Sequence, residues 1–113
     1  MEIKNQVVNG KPLKVQGNPL NPEQAQIAEI IYDFVHDPIF GSDDHFFCTP
    51  ETWEERGEDF GQGAELIVVF DGSVLFDILN YYPSLAEKLH NSLKSQGYFL
   101  ELGYSWSASI HKI

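Results

Sequence analysis

Cysteine is almost absent from this sequence, which contains only Cys48. A single cysteine excludes an intramolecular disulfide and provides no paired-cysteine zinc spacing. No apolar run approaches the roughly 20 residues that a membrane-spanning helix needs, and the first residues contain no apolar signal region. We therefore expect a cytosolic protein that folds as one domain over residues 1–113.

Basic residues are scarce and unevenly placed. The sequence contains seven Lys and Arg residues and 17 Asp and Glu residues, which gives a net charge of −10. From Glu23 to Asp77 there are 14 carboxylates and one base, Arg56. Direct binding to nucleic acid depends on a basic patch, so we expect none. The negative charge serves either solubility or the attraction of a basic partner.

Sequence motifs of common enzymes are also missing. There is no P-loop, no dinucleotide glycine fingerprint, no His-Glu-x-x-His and no Gly-x-Ser-x-Gly. Asp71-Gly72-Ser73 is typical of a turn and carries little specificity for catalysis. These absences favour a protein that is not an enzyme and that needs no cofactor.

Local sequence signals predict a hairpin and a helix before residue 37, and a strand and a helix between residues 64 and 81. Residues 2–16 read as a β-hairpin around Asn9-Gly10. A helix over 22–36 follows from the Asn21 cap, Pro22 and an apolar stripe. Residues 64–70 predict a central strand buried on both faces. For 74–81 the pattern favours a helix capped by Ser73 over a second hairpin strand.

The C-terminal part of the chain combines a helix and a ribbon. Ser84 and Glu87 have capping-box spacing and predict a helix over 84–96. From Tyr98 onward apolar side chains recur at every second position, which indicates β-structure. A single strand of that length is unusual, so we expect a bend or turn at Gly103. The strand over 98–102 is predicted to lie beside the strand over 64–70.

Together these elements predict an α+β fold. We expect a mainly antiparallel sheet of three to five strands, with two main helices, 22–36 and 84–96, packed on one face. Residues 37–63 are the least regular part, rich in acids and aromatics, with a short helix from Pro50 to about Arg56.

The irregular acidic segment is the leading candidate for function. We hypothesise a binding or regulatory module that engages a protein partner through residues 37–60, and in one variant of this hypothesis the partner is a basic or nucleic-acid-binding protein. In that variant the clustered carboxylates imitate the row of phosphates that the partner normally binds. The alternative is that the same charges form a solvated surface. On this interpretation Glu51, Glu55 and Glu58 share one helical face. The candidate contact residues are Asp43, Asp44, Glu51, Trp53, Glu54, Glu55, Glu58 and Asp59.

Two alternatives belong to other functional classes. His36, Asp43, Asp44 and His45 could hold a divalent metal, which would suit a small metal-assisted hydrolase. The C-terminal ribbon could instead join copies of the chain into a homo-oligomer. That surface depends on whether Tyr104 and Trp106 face solvent or the core, and the sequence leaves both orientations open.

Overall fold

The computed structural model describes residues 2–36 and 44–113. The elements in chain order are β1 (Ile3–Val8), β2 (Lys11–Gln16), α1 (Pro22–Val35), β3 (Phe46–Cys48), α2 (Pro50–Glu55), β4 (Leu66–Val69), α3 (Val74–Tyr81), α4 (Pro83–Lys94), β5 (Tyr98–Leu102) and β6 (Ser107–Lys112).

The described strands form one six-stranded sheet in the order β1-β2-β3-β4-β6-β5. The β2–β3 pair is parallel and the other neighbouring pairs are antiparallel. The α+β class is confirmed, but the expected three to five mainly antiparallel strands become six in a mixed sheet. The strand that the sequence did not reveal is β3, which is too short to show a two-residue period.

The N-terminal hairpin forms as predicted and makes one edge of the sheet. Asn9 and Gly10 both have positive φ, 51° and 78°, which is the backbone that a two-residue turn between twisted strands requires. Pro12 pairs with Val7. It is tolerated because β2 pairs with β3 only at Val15, so no described strand needs an N–H from position 12.

The sheet buries side chains on both faces. On the first face α1, α3 and α4 pack over a core that includes Ile27, Ile31, Leu75, Leu89, Leu93 and Ile110. On the second face Trp53 of α2 packs over Cys48, Ile67 and Val69. β4 supplies residues to both cores, which confirms the predicted central strand. The expectation of two helices on one face is corrected: three helices lie there, and α2 lies opposite.

Helix starts follow the sequence signals at α1, α2 and α3. Asn21, Thr49 and Ser73 each accept a hydrogen bond from the backbone N–H three residues later. At α4 the prediction of a capping box is wrong. The helix begins at Pro83, its N-cap is Tyr82, and no side chain caps it. Ser84 lies inside the first turn, where its hydroxyl is not in the N-cap position.

The C-terminal ribbon is a hairpin, β5–β6, with the expected turn at Gly103. Its adjacency was predicted wrongly, because β6 lies between β4 and β5. The turn interrupts the alternation: Leu100, Ala108 and Ile110 enter the first core, whereas Tyr104 and Trp106 pack, half-buried, against the second. These two aromatics stack on each other, with ring centroids 4.8 Å apart.

Candidate functional site

A short helix, α2, carries the densest group of predicted contact residues. Thr49 caps it and Pro50 occupies its first turn. Trp53 anchors it to the sheet and is only 3% exposed. Glu51, Glu54 and Glu55 project from the other sides and are exposed. The Trp53 ring is buried, whereas the three glutamates are exposed, and a contact between Trp53 and a partner stays a prediction.

Arg56, the one basic residue in the sequence between Glu23 and Asp77, already has partners within the chain. The Arg56 guanidinium lies over the Trp53 ring at 5.0 Å. It donates to Gln16 Oε1 at 2.8 Å and lies 3.6 Å from a Glu58 carboxylate oxygen. Glu58 is outside the helix, which ends at Glu55, so the predicted face of Glu51, Glu55 and Glu58 does not form. Glu58 is instead a partly buried partner of Arg56.

The remaining carboxylates are free of described basic partners. Glu51, Glu54, Glu55 and Asp59 are exposed and make no ion pair with a basic residue in the part of the chain that the structure describes. With Glu58 they give five negative charges against Arg56, a local net charge of −4. We call these four exposed carboxylates the α2 acidic surface.

An aromatic cluster supports this surface from below. Trp53 lies 6.0 Å from Trp106 and 6.5 Å from Tyr104, measured between ring centroids, and the edge of Phe60 meets Tyr104 at 4.8 Å. The Trp53 indole N–H donates to the Phe60 carbonyl. Phe60 itself is 49% exposed. The exposed Phe60 ring therefore lies beside the α2 acidic surface. The sequence analysis did not include Phe60 among the candidate contact residues.

A cleft separates α2 from the segment that follows it. Its volume is about 290 Å³, and its walls are formed by Pro50, Trp53, Glu54, Glu58, Phe60, Gly61, Gln62 and Gly63. Of these residues Glu54 and Phe60 are exposed, whereas Trp53 is buried and Glu58 pairs with Arg56. Carboxylates beside aromatic faces are suited to a Lys or Arg side chain, whose charge and apolar stem both find contacts.

The predicted acidic site is divided by β3. Asp44 precedes this strand and α2 follows it. Asp44 forms an ion pair with Lys14 at 3.1 Å, at the N-terminal end of β3. Asp43 lies outside the described residues. The structure therefore places Glu51, Glu54 and Glu55 together on α2, Asp59 after the end of that helix, and Asp44 beside Lys14.

Two histidines of the alternative metal site lie close together. The rings of His36 and His45 are 6.1 Å apart between centroids. His36 stacks on Tyr32, and its Nδ1 is 2.9 Å from the Tyr32 carbonyl oxygen. His45 is buried against Phe47. Across residues 2–36 and 44–113, no three His, Cys, Asp or Glu side chains form a metal-binding group.

Two further reactive groups are buried. The hydroxyl oxygen of Ser109 lies 2.8 Å from His111 Nε2, but Ser109 is buried, so a substrate has no access to that hydroxyl. Cys48 lies beneath α2, and burial raises the pKa of its thiol to about 12. The thiolate is the reactive form of cysteine, so Cys48 is not an active nucleophile in the folded protein.

Comparison with known proteins gave no match to any family model, to any curated protein or to any solved structure. None of the helices in the described ranges has the length and apolar character needed to cross a membrane.

Proposed function

We propose that this chain is a non-catalytic binding module that engages a positively charged protein through the α2 acidic surface. The observation that carries the proposal is the exposure of Glu51, Glu54, Glu55 and Asp59 without described basic partners. Glu51, Glu54 and Glu55 are on α2, which Trp53 anchors to the sheet, and Asp59 follows the helix. The backbone that carries the three glutamates is already ordered, which lowers the entropy cost of binding.

The class of partner follows from the spacing of the charges. Residues three and four apart on a helix have Cβ atoms about 5–6 Å apart, as Glu51 has with Glu54 and Glu55. A row of closely spaced negative charges is what a phosphate-binding surface of Lys and Arg is built to receive. The proposed partner is therefore a protein whose own ligand is nucleic acid, and the α2 acidic surface occupies its binding site by mimicry.

Phe60 and the adjacent cleft add a contact that charge alone does not provide. Aromatic residues dominate the binding energy of many interfaces, and Phe60 is half-exposed at the edge of the acidic carboxylates. In the proposed complex the Phe60 ring packs against the apolar stem of a partner's Lys or Arg. Electrostatic attraction then sets the rate of association, and the ring contributes to the lifetime of the complex.

A capture experiment tests the proposal. The chain is immobilised and exposed to a cell lysate at about 50 and about 300 mM salt, where the Debye length falls from roughly 14 to 6 Å. We expect a nucleic-acid-binding protein that is retained at low salt, is released at high salt and is displaced by duplex DNA or RNA. Retention of no such protein at either salt concentration contradicts the proposal.

Charge neutralisation identifies the surface once the partner is known. The variant Glu51→Gln/Glu54→Gln/Glu55→Gln is expected to raise the dissociation constant about tenfold and to reduce its dependence on salt. The matched control is Glu2→Gln/Glu87→Gln/Glu101→Gln, which removes the same charge at exposed positions elsewhere. Equal losses for both variants would mean that net charge, and not the α2 acidic surface, is recognised.

The metal-assisted hydrolase is kept as a second proposal because the rings of His36 and His45 approach each other. It predicts a bound divalent metal that both imidazoles contact. Elemental analysis of the purified protein and of the His36→Ala/His45→Ala variant tests it, and equal metal content in the two preparations opposes it.

A further inference from the structure

The outer strand β1 has one side without a described partner. Among the residues that the structure describes, β1 pairs only with β2. The two-residue turn at Asn9-Gly10 makes Val8 and Lys11 a hydrogen-bonded pair, and such pairs alternate along an antiparallel ladder. The backbone N–H and C=O groups of Ile3, Asn5 and Val7 therefore point away from β2, toward the free edge.

Side chains at the same positions expose apolar area. Ile3 is 44% exposed and Val7 is 70% exposed, and both project from the same face as Asn5 because alternate residues share a face. β-branched residues are favoured inside sheets, where a neighbouring strand covers them. The strand β1 is regular and contains no proline or bulge, and of the features that commonly protect a free edge it carries one lysine, Lys4.

We propose that two copies of this chain associate by antiparallel pairing of their β1 strands, centred on Asn5. In this register Asn5 faces Asn5 of the second copy, and Ile3 faces Val7. Each of the three facing pairs of residues 3, 5 and 7 exchanges two backbone hydrogen bonds. The exposed Ile3 and Val7 cover each other at both ends, and the two sheets become one continuous sheet.

No direct repulsion between facing charges opposes this register. Lys4 faces Gln6 of the second copy and Glu2 faces Val8, so no like charges are directly opposed. The neighbouring lysines are neutralised within each copy: Lys11 pairs with Asp33 at 2.9 Å and Lys14 with Asp44 at 3.1 Å. In a chain of net charge −10, the β1 hairpin is therefore an electrically balanced surface on which two copies can meet.

The opposite edge of the sheet fits a second copy less well. β5 exposes one large apolar side chain, Leu102, at 43%, and it carries Glu101, which adds to the negative charge. Its Tyr98 and Leu100 are already buried in the first core. The area available at β1 is nevertheless small compared with the roughly 1,200–2,000 Å² of stable complexes. We expect a dissociation constant in the roughly micromolar range.

Charge pairs introduced across the register test the proposal. Sedimentation velocity at increasing concentration is expected to show a monomer–dimer equilibrium for the unmodified chain. Ile3→Lys/Val7→Lys places like charges opposite each other and is expected to weaken dimerisation about tenfold or more. Ile3→Lys/Val7→Glu places opposite charges there and restores it. Equal weakening by both variants rejects the Asn5-centred register.

A backbone variant and an edge control complete the experiment. Asn5→Pro removes an N–H that points outward and none that bonds to β2, so it is expected to abolish the dimer while thermal unfolding stays cooperative. Leu102→Lys, on β5, is expected to leave the dimer intact. A monomer at all concentrations up to about a millimolar, or a dimer that Leu102→Lys disrupts, overturns the proposal.

Discussion

Gly17 shows how one residue connects the N-terminal hairpin to α2. It has φ of 78°, and a Cβ added there would lie 2.6 Å from Thr52 Cγ2 and Oγ1. The next residue, Asn18, donates its backbone N–H to the Thr52 hydroxyl. The close approach that glycine permits therefore holds the base of α2 against the end of β2.

We expect Gly17→Ala to destabilise the fold by about 2–5 kcal/mol. About 1–2 kcal/mol is the cost of positive φ in a residue with a Cβ, and the overlap with Thr52 adds about 1–3 kcal/mol. Gly10→Ala is the matched control, because Gly10 has the same φ of 78° and open space around its Cβ position. Urea unfolding measures the stability of both variants. Equal losses of unfolding free energy would show that the Thr52 side chain moves aside without a free-energy cost.

Cys48 supplies a second prediction at the residue scale. Burial raises the pKa of its thiol from the ordinary 9.0 to about 12. At pH 8 the thiolate is then about a thousandfold rarer in the folded protein than in the unfolded chain. We expect a thiol reagent to label the native protein at least that much more slowly than the urea-unfolded protein. Native labelling at the unfolded rate contradicts the burial of Cys48.

At the scale of elements, two capping signals of similar appearance have different outcomes. In α1 the Asn21 side chain accepts from Gln24 N at 2.8 Å, and the Gln24 side chain accepts from Asn21 N at 2.9 Å. In α4 the Ser84–Glu87 spacing is present in the sequence but the box does not form. Pro83 accounts for the difference, because its fixed φ suits the first helical position and starts the helix one residue earlier.

Alanine substitutions separate the two cases. Asn21→Ala is expected to cost about 1 kcal/mol of unfolding free energy, since the Gln24 backbone N–H loses its side-chain acceptor and must be solvated. Ser84→Ala is expected to change stability by less than about 0.5 kcal/mol, because serine in the first turn of α4 caps nothing. Chemical denaturation measures both, and a loss at Ser84 as large as that at Asn21 would imply a cap at α4.

At the scale of the whole molecule, local signals were sufficient for the helices and insufficient for the topology. Asn21, Thr49 and Ser73 predict their helices because a cap acts within three residues. The insertion of β6 between β5 and β4 depends on Ile110 pairing with both Leu66 and Leu100, and pairing between distant segments leaves no local signal. For the candidate site, the sequence identified the acids of α2, but β3 separates them from Asp44.

Among the described strands, the parallel pair β2–β3 has the fewest registered residue pairs. Within residues 2–36 and 44–113, Val15 with Phe47 is the single registered pair that joins the N-terminal hairpin to the other four strands. α1 reinforces it, since Ile27 and Ile31 share a core with Leu13 of β2 and Leu66 of β4. We therefore expect local opening of the sheet to begin between β2 and β3, where neighbouring strands share the fewest registered pairs.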